Sequence, residues 1–231
     1  MMSDFLQIYD KSIRLKPNGF SLLKKDNEGK WQQKNMPPPL SVDILKNLTF
    51  FNDSPNLQKP VTIISNLHVP VLIPKVLFDE TAKDDYINLN YEIEEPVFIL
   101  NEELEEYCLL HFINEGQKKI LEETGYSLEW LHLSGLLYKE LQQSDFYDNN
   151  KSYFSLYADE NYMDFIFVKE GKLQIINRFE YTSAYDILYY ILNIIRQFQL
   201  VSTDVYIILH NLQNEETILL LKQYIGHIFV Y

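Results

Sequence analysis

Glycine and cysteine are scarce in this sequence, and each shortage excludes a class of functional site. The 231 residues include only seven glycines and no Gly-Gly pair, and they contain neither a P-loop nor a dinucleotide-binding fingerprint. The single cysteine, Cys108, cannot form an internal disulfide, so the sequence predicts a reducing compartment and a buried thiol. The five histidines show no metal-ligand spacing, and we therefore expect no metal site.

Positive charge and long apolar runs are also in short supply. Lys and Arg number 20 against 33 Asp and Glu, which gives a net charge of −13 and a pI of about 4.8. Such a chain is repelled by nucleic acid and by anionic membrane surfaces. The first residues lack the basic and apolar regions of a secretory signal, and polar residues interrupt each apolar stretch before it could span a bilayer. The sequence therefore predicts a cytoplasmic protein without a nucleic-acid partner and without direct membrane insertion.

Apolar and aromatic residues, in contrast, are sufficient for a folded core. Hydrophobic residues make up 46% of the chain and aromatic residues 14%, which argues against extensive disorder. The length suits one large domain or two small ones.

The C-terminal part of the chain shows the clearest secondary-structure pattern. Three strand-like runs separated by short turns predict an antiparallel meander, and Ser183 with Asp186 three residues later predicts a capped helix. A continuous apolar strand, a second helix and a last strand follow, and this βββαβα order is typical of the ribonuclease-H-like fold. The predicted elements are strands at 152–158, 162–169 and 172–179, a helix from Ser183, a strand at 205–209, a helix at 215–224 and a strand at 228–230.

The N-terminal part opens with the same order of elements. Three short strands precede a helix that Ser41 can cap, and a β-branched strand follows. We therefore predict an α/β protein of two ribonuclease-H-like subdomains with mixed sheets, at 1–150 and 151–231, which is the plan of the actin-like ATPases. The predicted elements are strands at 5–15, 20–25, 30–34 and 61–65, and a helix whose apolar face is Val42, Leu45 and Leu48.

The first subdomain is predicted to carry an acidic insertion. Residues 79–106 contain eleven Asp or Glu and one Lys, which favours a solvated surface, with a docking surface as the alternative. The elements predicted after it are a strand at 106–113, a helix at 117–124 ended by Gly125, a strand at 127–133, a helix at 136–141 and a loop at 145–151.

Three segments of the chain resemble one protein family. They are VPVLIPKVLF at 69–78, LHLSGLL at 131–137 and NRFEYTSAYDILYYIL at 177–192. These segments are similar to the signature of an uncharacterised bacterial family, domain of unknown function 3822. The resemblance implies an actin-like ATPase fold, similar to the cytoplasmic actin-like proteins of type IV pilus and type II secretion assembly, and it implies no activity. One departure is the pair His210–Asn211, where nucleotide-binding relatives are expected to have a glycine turn.

The two hairpins that would wrap a triphosphate are poor in glycine, although side chains block the close approach of backbone to phosphate. The first, at 14–19, has one glycine and a proline that lacks an N–H group; the second, at 158–162, has no glycine and two carboxylates. The sequence therefore predicts a protein-interaction scaffold, a pseudo-enzyme with neither catalytic residues nor a cofactor. The alternative is a degenerate ATP-binding protein in which Asn18, Gly19 and Asp159 line the site.

A metal-dependent nuclease is a third hypothesis. It requires Asp159, Asp164 and Asp186 to converge on one point, whereas helix capping and solvation explain these carboxylates more simply. Ser134-Gly135 after a strand resembles part of a nucleophile elbow, but the glycine two residues before the serine is missing.

Tyrosine is abundant, and its position on the long C-terminal helix raises a question about binding. The predicted helix carries Tyr185, Tyr189 and Tyr190, and of these Tyr185 and Tyr189 are four residues apart and form one stripe. We expect these rings to pack in the core, whereas exposed rings would indicate a protein interface. The expected partner is an unidentified protein or a second copy of the chain in a homodimer.

Overall fold

Two compact units make up the described part of the chain. One lies within Gln7–Gly135 and the other within Leu136–Tyr231. The division between them precedes the subdomain boundary placed at residue 150 from the sequence, which remains a prediction. The helix predicted after Ser41 and the first half of the strand predicted at 5–15 lie outside the described residues. The structure, a computed structural model, describes residues 11–28, 30–38, 60–159, 161–212 and 214–231.

The first unit is built on a mixed five-stranded sheet. Alternate side chains such as Ile13, Leu22 and Ile63 are buried on one face of it, as the two-residue period of a strand requires. Its strands are β1 (Lys11–Lys16), β2 (Gly19–Lys25), β3 (Trp31–Met36), β4 (Val61–Ser65) and β8 (Leu128–His132). Their order is β3-β2-β1-β4-β8; the β1–β2 and β2–β3 pairs are antiparallel, and the β1–β4 and β4–β8 pairs are parallel.

The connection from β4 to β8, residues 66–127, carries a second sheet and is called the insertion below. Its sheet contains β5 (Val71–Pro74), β6 (Val97–Glu103) and β7 (Tyr107–Asn114) in the order β5-β7-β6, and both pairs are antiparallel. Helices α1 (Lys83–Asn88) and α2 (Glu115–Glu122) belong to the same connection. The insertion has a buried cluster of its own, made of Ile73, Ile87, Cys108, Leu110 and Phe112.

The acidic segment 79–106 is only partly the solvated surface that its composition predicts. All of its carboxylates except Glu102 are exposed. Glu102, Leu104 and Ile87, however, are buried. A count of charges over the segment conceals the apolar run at 97–100 that begins strand β6. The free thiol of Cys108 is buried, as predicted, and burial raises its pKa.

The second unit repeats the strand order of the first. Its order is β11-β10-β9-β12-β13, with β9, β10 and β11 antiparallel and β9, β12 and β13 parallel. The sheet is thus the ribonuclease-H-like βββαβα arrangement predicted for this part of the chain. Its elements are β9 (Ser152–Ala158), β10 (Tyr162–Lys169), β11 (Lys172–Glu180), β12 (Val205–His210) and β13 (His227–Val230), with α3 (Leu133–Gln143) before them and α4 (Ala184–Gln197) and α5 (Glu215–Lys222) between strands.

Helices α4 and α5 pack on one face of the second sheet. Helix α4 begins at the predicted cap, because Ser183 and Asp186 exchange side-chain and backbone hydrogen bonds in a capping box. Ile191 on α4, Phe154 on β9 and Ile207 on β12 belong to the buried cluster on this face. The opposite face, called the reverse face below, therefore carries the alternate residues of each strand.

The loop predicted at 145–151 covers part of the reverse face. The Tyr153 hydroxyl donates to the carbonyl oxygen of Phe146 at 2.9 Å and accepts from the Asp148 N–H group at 2.8 Å. The Phe146 ring stacks on the Phe229 ring at 4.7 Å.

Across the described ranges, every helix falls short of the length and apolarity that crossing a membrane requires.

Candidate functional site

The first hairpin that would wrap a phosphate, between β1 and β2, turns at exposed Pro17 and Asn18. Gly19 follows with φ of +139°, a conformation that side chains disfavour. A Cβ atom at this position would lie 2.3 Å from the carbonyl oxygen of Met36. Glycine is therefore required here by the close approach of the end of β3, whether or not a ligand is bound.

The second hairpin, between β9 and β10, holds Asp159 among its own residues. The Asp159 N–H donates to the carbonyl oxygen of Tyr162 at 2.9 Å, and the Tyr162 hydroxyl donates to the Asp159 carboxylate at 3.3 Å. The Tyr181 hydroxyl donates to the Asp159 carbonyl oxygen at 2.5 Å. Asp159 is buried in this arrangement. Asn18 and Gly19 belong to the first unit and Asp159 to the second, so the predicted nucleotide site draws on both units and remains a prediction.

The turn after β12 has the conformation of a glycine turn without a glycine. Asn211 has φ of +60°, in the left-handed region that asparagine tolerates better than most residues. Its side-chain amide donates to the carbonyl oxygen of Ala158 at 2.8 Å. The departure noted at His210–Asn211 is thus a change of residue and not of backbone conformation. Because asparagine adopts the left-handed conformation more readily than most residues, Asn211 itself indicates this turn in the sequence.

The aspartates of the nuclease hypothesis have partners other than a metal. Asp164, on the reverse face, accepts from the guanidinium of Arg178 at 2.8 Å, and both side chains are largely buried. Asp186 caps α4. Hydrogen bonds to its carboxyl hold the pKa of that carboxyl below its usual range. The largest contribution comes from the Thr182 N–H, and the Thr182 hydroxyl and the Ser183 N–H and hydroxyl add to it. The described residues contain no group of three or more His, Cys, Asp or Glu side chains that could hold a metal ion.

A buried polar cluster precedes helix α3 in the first unit. The Ser134 N–H donates to Nδ1 of His132 at 3.1 Å, so Nε2 carries the proton and donates to the carbonyl oxygen of His68 at 3.0 Å. The Glu102 carboxylate accepts from the His132 N–H group and lies 3.8 Å from Nε2 of His111. Burial lowers the pKa of His111 to about 3. These contacts position the start of a helix, and Ser134 is buried among them.

The second unit has a cavity on its reverse face that the sequence does not predict. It has a volume of about 310 Å³, and its floor includes a buried serine and a buried histidine. The Ser155 hydroxyl and Nε2 of His210 are 3.2 Å apart, and Nδ1 of His210 is 4.0 Å from a carboxylate oxygen of Glu140. Burial lowers the pKa of His210 to about 3. This is the clearest convergence of polar groups on a cavity in the described part of the second unit.

Large apolar side chains are exposed on both units. On the insertion, Val76 is 92% exposed, Leu77 67% and Leu89 82%. On α4, Tyr185 and Tyr189 are 68% and 62% exposed, so the prediction that they pack in the core is wrong. The Tyr190 ring, in contrast, stacks on Phe179 with a centroid distance of 4.3 Å. The apolar residues at helical spacing, among them Ile187 and Ile191, form the face of α4 that the sheet covers, and Tyr185 and Tyr189 lie outside that face.

Solved structures share this fold along the whole chain. A protein from Bacteroides thetaiotaomicron with an actin-like ATPase fold and unknown function matches with a TM-score of 0.74 and 23% identity, over 100% of this chain and 94% of that one. A PilM–PilN type IV pilus biogenesis complex matches with a TM-score of 0.53 and 13% identity, over 96% of this chain and 87% of that one. No match was found among curated proteins. The chain therefore has the actin-like ATPase fold that the sequence predicts.

The family is shown by the sequence itself. Residues 6–228 match the family described as "Protein of unknown function (DUF3822)", and the match includes the three segments in which the resemblance was noted. The match covers both units and the insertion between β4 and β8. The protein is a member of the DUF3822 family.

Proposed function

We propose that this protein is a non-catalytic cytoplasmic scaffold that binds another protein through the insertion of its first unit. The observation that carries the proposal is the exposure of Val76, Leu77 and Leu89, which we call the aliphatic patch. Single exposed aliphatic residues are common on soluble proteins, whereas several on two ordered segments of one insertion favour a binding surface.

Hydrogen bonds from the backbone and from the Tyr86 hydroxyl hold the segments that carry the aliphatic patch. The Lys75 N–H donates to the carbonyl oxygen of Glu106 at 2.9 Å, which anchors the segment that leaves β5. The Tyr86 hydroxyl donates to the carbonyl oxygen of Leu77 at 2.7 Å and accepts from the Asp79 N–H at 3.2 Å. Leu89 lies three residues after Tyr86, at the end of α1, so the Tyr86 hydrogen bond ties the segment of Leu77 to the helix that ends at Leu89. A surface that is already ordered loses little conformational entropy on binding.

The charges around the aliphatic patch define the chemistry of the partner. Exposed carboxylates flank the patch, and the nearby cations are neutralised, because Lys75 pairs with Glu103 and Lys83 with Glu80. A protein with an apolar pocket rimmed by Lys or Arg is therefore the complementary partner. The flanking carboxylates are Asp79, Glu80, Asp84 and Asp85.

The fold and the hairpins add support to a binding role without catalysis. One solved structure of similar fold is a complex of two type IV pilus biogenesis proteins, and by fold analogy this chain is also a partner in a protein assembly. In the first hairpin, Gly19 is explained by contact with Met36 and Pro17 offers no N–H group to a phosphate. In the second hairpin, the carboxylate of Asp159 would repel a phosphate that no metal bridges.

The test is capture of the partner from the native cell by tagged protein. In the variant Val76→Ser/Leu77→Ser/Leu89→Ser, we expect recovery of the partner to fall at least about tenfold, because exposed apolar anchors carry much of an interface's free energy. The control is Val201→Ser/Leu219→Ser, which removes exposed aliphatic side chains, 60% and 62% exposed, from the second unit. Equal recovery with both variants would remove the insertion from the interface. If the captured partner is the chain itself, the scaffold is a homodimer.

A second experiment separates the scaffold from a degenerate ATP-binding protein. The left-handed turn at Asn211 is the observation that favours nucleotide binding, because it keeps a backbone conformation that glycine usually provides. Calorimetric titration of ATP with magnesium is expected to give no saturable heat. Micromolar binding that is lost in Asp159→Asn would overturn the scaffold and assign Asn18, Gly19 and Asp159 to a nucleotide site.

A further inference from the structure

Helix α4 carries a stripe of side chains that does not pack against the sheet of the second unit. Its members follow one another at steps of four, three and four residues, so they lie along one side of the helix, away from Ile187 and Ile191. At a rise of about 1.5 Å per residue the stripe is about 16 Å long. We call it the tyrosine stripe, and it consists of Tyr185, Tyr189, Leu192 and Arg196.

The tyrosine stripe offers both exposed rings and a shallow groove. Tyr185 and Tyr189 are exposed, and Tyr189, Leu192 and Arg196 line a cavity of about 230 Å³ together with Asn193. The Tyr189 ring makes an edge contact with the ring of Tyr190 at a centroid distance of 5.6 Å, which limits its motion. Tyrosine and arginine are enriched among the residues that dominate binding at protein interfaces. The stripe therefore has the composition of an interface.

Arg196 brings a positive charge to the tyrosine stripe. Its guanidinium donates to the side-chain oxygen of Asn193 at 3.1 Å, and it pairs with no Asp or Glu among the residues that the structure describes. A guanidinium has five N–H donors, so Arg196 retains donors for a carboxylate of another molecule. The stripe thus favours a partner that is apolar and acidic.

The aliphatic patch of the insertion is a surface of that kind. Val76, Leu77 and Leu89 are exposed there, and the carboxylates of Asp79, Glu80, Asp84 and Asp85 flank them. Contact between two aliphatic patches would bring carboxylates together, which is unfavourable. Contact between two tyrosine stripes would leave both guanidinium groups without a carboxylate. Contact of a patch with a stripe, in contrast, matches apolar surface with apolar surface and negative charge with positive charge.

We infer that the partner of the aliphatic patch is a second copy of this chain, which binds the patch with its tyrosine stripe and places Arg196 against the flanking carboxylates. The inference rests on the proposed function, because it names the partner of the same patch. The contact joins two different surfaces, so the copies associate head to tail.

Sedimentation velocity of the full chain over a range of concentrations is the first test. We expect the wild-type chain to self-associate as its concentration rises. The patch variant, Val76→Ser/Leu77→Ser/Leu89→Ser, and the stripe variant, Tyr185→Ser/Tyr189→Ser/Arg196→Glu, are each expected to raise the dissociation constant at least about tenfold. All six side chains are exposed, so both variants are expected to keep the circular dichroism of the wild type. The control Val201→Ser/Leu219→Ser is expected to self-associate as the wild type does.

Mixing the two variants is the sharper test, because only a contact between unlike surfaces can be restored in this way. The patch variant keeps an intact stripe and the stripe variant keeps an intact patch. An equimolar mixture is therefore expected to form a dimer with one copy of each variant and no larger species. A mixture that remains monomeric would overturn the inference.

Substitutions of Arg196 alone test the role of its charge. Arg196→Lys keeps the charge and is expected to weaken self-association less than threefold or so, whereas Arg196→Glu is expected to weaken it at least about tenfold, because it adds a negative charge opposite the carboxylates. Equal effects of the two substitutions would overturn the pairing of Arg196 with the patch.

Failure of the inference can be told apart from failure of the proposed function. If the wild-type chain stays monomeric at every concentration while the tagged protein captures a partner through the aliphatic patch, the proposed function stands and the partner is a different protein. If the wild-type chain self-associates and the patch variant does so equally well, the inference is wrong and the patch is not the contact. If only the patch variant loses self-association, the patch binds a surface other than the tyrosine stripe.

Discussion

The two units share one strand order but differ in the connection between their last two parallel strands. In the first unit, the path from β4 to β8 contains a three-stranded sheet, two helices and a separate core. In the second unit, the described residues between β12 and β13 contain one helix, α5. The sheets define the fold, while the connection decides what each unit presents to its surroundings.

The polar groups of the units differ in the same way. The first unit presents exposed carboxylates and an aliphatic patch on its long connection. The second unit keeps its polar groups on the reverse face of the sheet, in an ion pair and at the floor of a cavity. The long connection of the first unit thus presents an exposed surface. In the second unit, where the connection is short, the cavity lies on the sheet itself.

The largest effect is expected from the buried ion pair of the second unit. Asp164→Ala leaves the guanidinium of Arg178 without its carboxylate in a largely buried position, and we expect a loss of about 3–5 kcal/mol in the free energy of unfolding. Urea denaturation followed by circular dichroism measures the loss. In the first unit, Glu28→Ala removes the exposed Lys30–Glu28 pair and is expected to cost less than about 1 kcal/mol. Equal losses would show that depth does not distinguish the two pairs.

The next effect concerns the separate core of the insertion. Leu110→Ala removes a fully buried side chain from β7, and we expect it to destabilise the insertion by about 2–5 kcal/mol. Hydrogen exchange is expected to accelerate at 71–113 and to stay slow in β1 and β4. Equal acceleration in the main sheet would show that the insertion and the sheet unfold as one cooperative element.

The smallest effect is a pH dependence that both units share. Burial lowers the pKa of His111 and of His210 from 6.5 to about 3, so the unfolded chain binds more protons than the folded one between these values. Stability attributable to each histidine is therefore complete above pH 6.5 and falls as the pH drops, by up to about 1.4 kcal/mol per pH unit. Carboxylates lie near each ring, at 3.8 Å for Glu102 and 4.0 Å for Glu140.

The variants His111→Leu and His210→Leu remove one titrating group from each unit. We expect each to reduce the slope of unfolding free energy against pH between pH 6.5 and 5.5, where most carboxylates remain ionised. Denaturation at a series of pH values measures the slope. An unchanged slope in either variant would mean that its carboxylate neighbour compensates for burial.

The sequence predicts the regular elements of the second unit well because local signals specify them. The exchange of hydrogen bonds between Ser183 and Asp186 is a contact within one helical turn, and strands β9 to β11 are joined by short turns. The insertion is predicted less completely, since Val71–Pro74 is short and ends in proline and β6 runs into an acidic stretch. The local composition of β5 and β6 therefore gives a weak strand signal. Both become strands through pairing with β7, which no local pattern reveals.

The cavity could not be predicted, because it depends on the register between strands that are distant in the sequence. Ser155 and His210 are 55 residues apart and meet through the parallel pairing of β9 with β12. Glu140 comes from α3, a third element. A lone serine in an apolar strand and a histidine at the end of another give no sign of this contact by themselves.

The outer strands of the two sheets bear on how the protein behaves at high concentration. In the described part of the chain each sheet has two outer strands, β3 and β8 in the first and β11 and β13 in the second, and open edges can pair with another chain and start aggregation. Exposed Gln32, Gln33, Lys34 and Asn35 on β3, and exposed Lys172 and Glu180 on β11, place amides and charges along these edges. Charged and amide side chains on β3 and β11 disfavour the pairing of these edges with another chain.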